Sequence, residues 1–316
     1  MIFSNISQSG FLQFDKRHGI VLSVFLLLYL VWTTTFVGIR SDHMLFIIFV
    51  GVMFTLHKQT RIFTYSFIFF ILFWIIYDSM RVYPNYMVNE VSIAEPYLLE
   101  KFLFGIQDAA GNISTPNEYL KLHSYTILDV ISGIFYLTWV PVPLALGIYF
   151  FFKDKKMLLH FSAVYLFTNI IGFIVYYVYP AAPPWYYSQY GDTLLMNIPG
   201  NAAQLLRFDT WLGYPLFQGI YTKNSNVFAA IPSLHAAYPV VTLYFARKAK
   251  LTKASFLILI DVLGIWFAAV YSFHHYIIDI IAGGLCAVTA IFIYEYGFSG
   301  TKLSKSIDKY ITFIQS

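Results

Sequence analysis

The 316-residue chain is 59% hydrophobic and 20% aromatic, with 11% charged residues and a formal charge of +4. A charged fraction so far below the roughly 25% of soluble domains excludes an ordinary soluble protein, and the modest net charge gives no ground for a nucleic-acid partner. The single cysteine, Cys286, rules out an internal disulfide.

The first twelve residues are mildly polar and show no cleavable signal peptide, and Lys16-Arg17 precede an apolar run long enough to remain in the membrane. Residues 20–37 predict a first span and 44–56 a shorter second one. Residues 63–76 predict a third, running on into Tyr77-Asp78-Ser79-Met80-Arg81, where Asp78 and Arg81 can pair at a helix end. The polar interval 84–124 contains two stretches, 94–105 and 117–122, that read as short helices lying in the interface. Residues 125–152 predict a fourth span with Asp129 in its first turn and a bend at Pro141-x-Pro143. A fifth, 157–179, stops at Pro180-Ala181-Ala182-Pro183-Pro184. A second polar interval, 185–226, leads to spans at 227–245, 254–271 and 275–294. The expected fold is an all-α integral membrane protein of about eight transmembrane helices. It divides into N-terminal helices (1–83), an extracytoplasmic or interfacial segment (84–124), a catalytic membrane core (125–298) and a basic cytoplasmic tail (299–316).

Orientation follows from the basic residues. Of the twenty Lys and Arg, fourteen fall in one alternate set of loops, and only Arg40, Arg81, Lys101, Lys121, Arg207 and Lys223 fall in the other. The richer set belongs on the cytoplasmic side, which places both termini there. Arg81, Asp129, the Pro-Pro-Trp loop, His235 and His275 then share the extracytoplasmic end.

The polar groups least at home in an apolar bundle lie in Ile231-Pro232-Ser233-Leu234-His235-Ala236 and in Ser272-Phe273-His274-His275-Tyr276-Ile277-Ile278-Asp279. At i,i+4 in a helix, His275 and Asp279 share a face, so the carboxylate can hold one ring nitrogen and leave the other as a nucleophile or base. His235 is a second imidazole able to move a proton to or from a reacting oxygen. Together these residues suffice for phosphoryl transfer through a phospho-histidine, with no metal or other cofactor required. His43, His57, His123, His160 and Asp261 read as structural.

The Ser-Leu-His and His-x-x-x-Asp signatures resemble the second and third motifs of the type 2 phosphatidic acid phosphatase (PAP2) superfamily. Within it, the chain is similar to the inositol phosphorylceramide synthase (aureobasidin A resistance protein) branch. That likeness rests on Tyr179-Pro180-Ala181-Ala182-Pro183-Pro184-Trp185-Tyr186, on Phe228-Ala229-Ala230-Ile231-Pro232-Ser233-Leu234-His235 and on the doubled His274-His275-Tyr276. The resemblance spans roughly residues 105 to 294. It implies a PAP2-type helical bundle, with His275, His235 and Asp279 catalytic. The implied reaction moves inositol phosphate from a phosphatidylinositol-like donor to a ceramide-like acceptor and releases diacylglycerol. One departure is informative. The parent superfamily carries Lys and Arg in its first motif and an Arg six residues before the nucleophilic His, whereas 179–186 holds no cation and the latter position is Ala269. A singly charged phosphodiester needs less cationic help than a phosphomonoester dianion, which favours headgroup transfer over hydrolysis. Arg81 is the cation expected to neutralise the phosphate, with His274 as a hydrogen-bond donor or Lys223 as the alternatives, and backbone N–H groups beside Ser233 add to the contact. Asp129 is expected to hold Arg81 or a sugar hydroxyl, and Trp185 and Tyr186 to line the substrate site. Two alternatives remain: a PAP2 lipid phosphate phosphatase, and a lipid transporter without catalysis. The short chain and its Phe, Ile and Tyr bias point to a bacterial inner membrane.

Overall fold

In the computed structural model the structure describes residues 16–196, 198–223, 226–298 and 301–315. The polar first twelve residues and their expected lack of a signal peptide therefore lie outside the described residues. A continuous apolar run in lipid must satisfy its own backbone polar groups, and helices do so. α1 (Lys16–Trp32) continues through a π turn to Val37, and α2 (Ser41–Leu56) returns. α3 (Lys58–Ser66) and α4 (Ile68–Ser79) follow, with a bend of 56° between them at Phe67. The third helix thus begins earlier than hydropathy indicated, because its polar first turn is capped by the His57 ring, which accepts the Gln59 N–H at 3.0 Å.

The interval that follows holds α5 (Ala94–Phe104), a hairpin of β1 (Ile106–Gln107) and β2 (Ile113–Ser114), and α6 (Pro116–Leu122). Apart from this hairpin and isolated bridges, the described residues are helical or irregular. α7 (Thr126–Leu137) and α8 (Pro141–Lys153) are two halves of one long passage broken before Pro141, where a bend was expected. At the break Thr138 Oγ1 donates to Asp261 at 2.5 Å, which gives that intramembrane carboxylate a structural partner. α9 (Lys155–Val178) is followed by the short α10 (Pro184–Tyr190), α11 (Leu206–Leu212) and α12 (Leu216–Tyr221). Then come α13 (Leu234–Lys248), α14 (Thr252–Tyr271), α15 (Ile277–Phe292) with a π turn to Gly297, and α16 (Lys302–Gln315).

Among the described residues, five helices are long and apolar enough to cross a membrane: Lys16–Val37, Thr126–Lys153, Lys155–Val178, Thr252–Tyr271 and Ile277–Gly297. Counted as one span, the bent α3–α4 pair brings the number to six. A total of eight is reached only by adding α2 and the fifteen-residue α13, so the expected count is not established by length. α13 starts at Leu234 and not at residue 227. The residue before a proline disfavours helix, which stops Ile231, and Ser233 caps the new helix by accepting the Ala236 N–H at 3.3 Å.

α13 packs against α8, α9, α14 and α15 at the centre of the bundle. Two of the close approaches at glycines lie against the start of α13. A Cβ on Gly172 would collide with Leu234, and one on Gly283 would collide with the Ser233 carbonyl. The second contact brings the start of α15 against the start of α13, the two places where the conspicuous histidines lie.

Candidate active site

α14 ends at Tyr271, and the chain makes a tight turn before α15. The N–H groups of His274 and His275 both donate to the Ala269 carbonyl at 3.1 Å, and Phe273 between the helices takes a left-handed φ of 66°. Its ring is buried in an apolar cluster with Ile93, Ala182, Trp185 and Phe228, which holds that conformation in place. Two side chains from the interfacial segment fix the turn from outside. Asn117 on α6, fully buried, donates to the carbonyls of Val270 at 2.8 Å and His275 at 2.9 Å. Glu100 on α5, also fully buried, accepts the N–H groups of Ile277 at 3.0 Å and Ile278 at 3.2 Å. Asp279 accepts the Tyr276 N–H at 2.9 Å, so two carboxylates satisfy the positive end of α15. Burial pushes the Glu100 carboxyl above its ordinary range, and the two N–H bonds only partly oppose it.

His275 Nδ1 lies 3.3 Å from Asp279 Oδ2. The expected pairing is present, but its geometry differs from one helical face. His275 precedes α15, and Asp279, the third residue of that helix, reaches back to it as a capping side chain would. His235, the second residue of α13, places Nδ1 3.1 Å from the Tyr136 hydroxyl and packs against the edge of Trp139. The two imidazoles have centroids 5.8 Å apart and line one cavity of about 590 Å³. Asp279 is fully buried.

The remaining residues expected at the site divide. Arg81, Lys223, Trp185 and His274 line the same cavity. His274 is held between the rings of Tyr136 and Tyr221 and its Nε2 is 2.9 Å from the Ala202 carbonyl, so that nitrogen is committed to the protein. Burial pushes its pKa well below the ordinary imidazole value. Ser233 is buried outside the cavity lining, and its N–H donates to the Asp279 carbonyl at 2.9 Å, so it ties α13 to α15 and does not present that N–H to a phosphate. Tyr186 is likewise internal, its hydroxyl donating to the Thr193 carbonyl and accepting the Leu195 N–H, both at 2.8 Å. Asp129 does not reach Arg81. It accepts from Tyr271 at 2.8 Å and pairs with Arg207 at 3.4 Å, away from the cavity. Sequence reasoning also missed Tyr136, Glu100, Asn117 and Arg40, which come from segments far from either histidine motif.

Residues 113–293 match the family described as the PAP2 superfamily, a stretch that contains His235, His275 and Asp279. The chain belongs to the PAP2 superfamily. It is 43% identical over 305 residues to a phosphoinositol dihydroceramide synthase of Bacteroides thetaiotaomicron, covering 95% of this chain and 99% of that one. It is 25% identical over 229 residues to the inositol phosphorylceramide synthase catalytic subunit of Schizosaccharomyces pombe, covering 70% of this chain and 50% of the other. The corresponding Saccharomyces cerevisiae subunit is 32% identical over 132 residues, 41% of this chain and 32% of its own. No solved structure gives a significant match. Arg40, Arg81 and Glu100 all precede the matched family region.

Proposed function

We propose that this PAP2 membrane protein is a lipid phosphotransferase that moves inositol phosphate from phosphatidylinositol to the primary hydroxyl of a ceramide-like lipid. The observation that carries the proposal is two imidazoles lining one cavity, one of them beside a buried carboxylate. The similarity to synthases of that name supports the choice of headgroup and acceptor.

In this reading Asp279 holds the proton on His275 Nδ1, which leaves the Nε2 lone pair to attack phosphorus. The bond from phosphorus to the glycerol oxygen breaks, His235 delivers the proton to that oxygen, and diacylglycerol leaves. The acceptor hydroxyl then gives its proton to His235 as its oxygen attacks phosphorus, the P–N bond breaks, and His275 is regenerated. Tyr136 orients His235 by its hydrogen bond to Nδ1, leaving Nε2 for the proton. Ala269, fully buried where the parent superfamily has arginine, leaves no cation beside His275 in its own turn, which suits a phosphodiester substrate. The distribution of basic residues supports a site at the extracytoplasmic face, with both termini in the cytoplasm.

The covalent step is tested by incubating purified protein with phosphate-labelled phosphatidylinositol and no acceptor. Label should become attached in an acid-labile, alkali-stable form in the parent and not in His275→Ala, and ceramide should chase it into lipid. A parent protein that turns over without acquiring label would contradict the intermediate.

A further inference from the structure

A transferred phosphodiester needs donors for its non-bridging oxygens, and among the described residues the matched family stretch lines the cavity with one Lys, Lys223, and no Arg. We propose that Arg40 and Arg81, set side by side by the shared carboxylate of Asp78, form the phosphate-binding end of the cavity and recognise the donor's phosphodiester. The identity of that donor rests on the function proposed above; the anion site itself does not.

Asp78, at the end of α4, is buried and accepts from three groups: Arg40 Nη2 at 2.6 Å, Arg81 Nε at 3.1 Å and, in the tautomer protonated there, His43 Nε2 at 2.8 Å. Asp42 holds Arg40 from the other side, accepting from Nε at 3.1 Å and Nη2 at 3.0 Å. Arg81 Nη2 donates to the Lys223 carbonyl. These bonds use Nε and Nη2 of both guanidiniums and leave Nη1 of each without a partner among the described residues. Both arginines line the cavity that His235 and His275 line. A planar guanidinium fixed on one edge presents its remaining N–H groups in a set direction, which suits two oxygens of one phosphate and lowers the ordering cost on binding.

Charge points the same way. The formal charges of Arg40, Arg81, Asp42 and Asp78 cancel, and Lys223, another lining residue, leaves a surplus of one. That surplus matches a phosphodiester and falls short of a phosphomonoester dianion. All these residues except Lys223 lie before the matched family region, so the N-terminal helices supply the guanidiniums of the cavity.

The test is direct binding of glycerophosphoinositol, the deacylated phosphodiester headgroup, to purified protein in detergent by calorimetry. Removing one charge-assisted contact costs about 1.5–3 kcal/mol, so Arg40→Gln and Arg81→Gln should each weaken binding about 10- to 100-fold. Arg40→Lys should fall between them and the parent. Because Arg40→Gln leaves Asp42 and Asp78 short of a partner, the charge-balanced Arg40→Gln/Asp42→Asn double variant is measured alongside, with its thermal transition as a check on folding. Parent-like binding by the folded double variant and by Arg81→Gln would overturn the proposal, as would a parent that binds no glycerophosphoinositol. Arginine-dependent binding by a parent that forms no inositol phospholipid product from ceramide would sink the transfer reading and leave the anion site standing.

Discussion

Truncating Glu100 probes whether the segment outside the family core controls the geometry of the histidine turn. Glu100→Ala removes the acceptor for two N–H groups, those of Ile277 and Ile278, in a position with no exposure to solvent. Each buried donor left unsatisfied costs about 1–3 kcal/mol, so the first turn of α15 should lose on the order of 3–4 kcal/mol. Asp279 lies in that turn and is what His275 leans on. If the loss is felt fully in the transition state, kcat falls by roughly 100-fold or more, at about 1.4 kcal/mol per factor of ten. Glu100→Gln keeps one carbonyl acceptor and should cost about tenfold. The assay is kcat with both lipids saturating, together with the thermal transition of each variant. Burial holds the folded-state pKa of Glu100 above its unfolded value, so the folded chain binds that proton more tightly than the unfolded chain does. The parent's stability relative to Glu100→Gln should therefore fall as pH rises from the ordinary glutamate range, about 4.3, through the raised folded pKa. A Glu100→Ala protein with parental kcat and melting temperature would refute the reasoning.

Tyr136→Phe removes the hydrogen bond to His235 Nδ1 without changing ring packing, and kcat should drop about tenfold with little change in melting temperature, read from steady-state rates and a thermal scan. Gly283→Ala drives a methyl group against the Ser233 carbonyl, so α15 must retreat from α13; a destabilisation of about 1–3 kcal/mol should appear as a lowered thermal transition, with activity falling as well. Asp279→Asn should keep the chain folded and reduce turnover by more than tenfold, because an amide no longer favours the required imidazole tautomer; unchanged turnover would remove Asp279 from the site.

His235, His275 and Asp279 were legible because titratable groups are costly in an apolar bundle and their spacing has a chemical meaning. Their exact setting was not. Pro232 and Ser233 carried the signal that α13 starts at Leu234, yet the apolar residues before them concealed it. Glu100 and Asn117 looked like ordinary members of a polar interval, since only the fold brings them to the turn at His275. Arg40 read as a loop charge, and its carboxylate partner Asp78 lies 38 positions away. Asp129 was drawn to Arg81 by its predicted side of the membrane, whereas Arg207 and Tyr271 are the groups within reach. Membrane passages were readable from apolar length, while the bend at Phe67 and the short α13 left no hydropathy signature.

The most direct test of the account is a product assay on purified protein with labelled phosphatidylinositol and ceramide in the presence of a chelator. Inositol phosphorylceramide and diacylglycerol should form in equal amounts in the parent and be lost in His275→Ala and in His235→Ala. Release of water-soluble inositol phosphate without a new lipid, or full activity in His275→Ala, would contradict it.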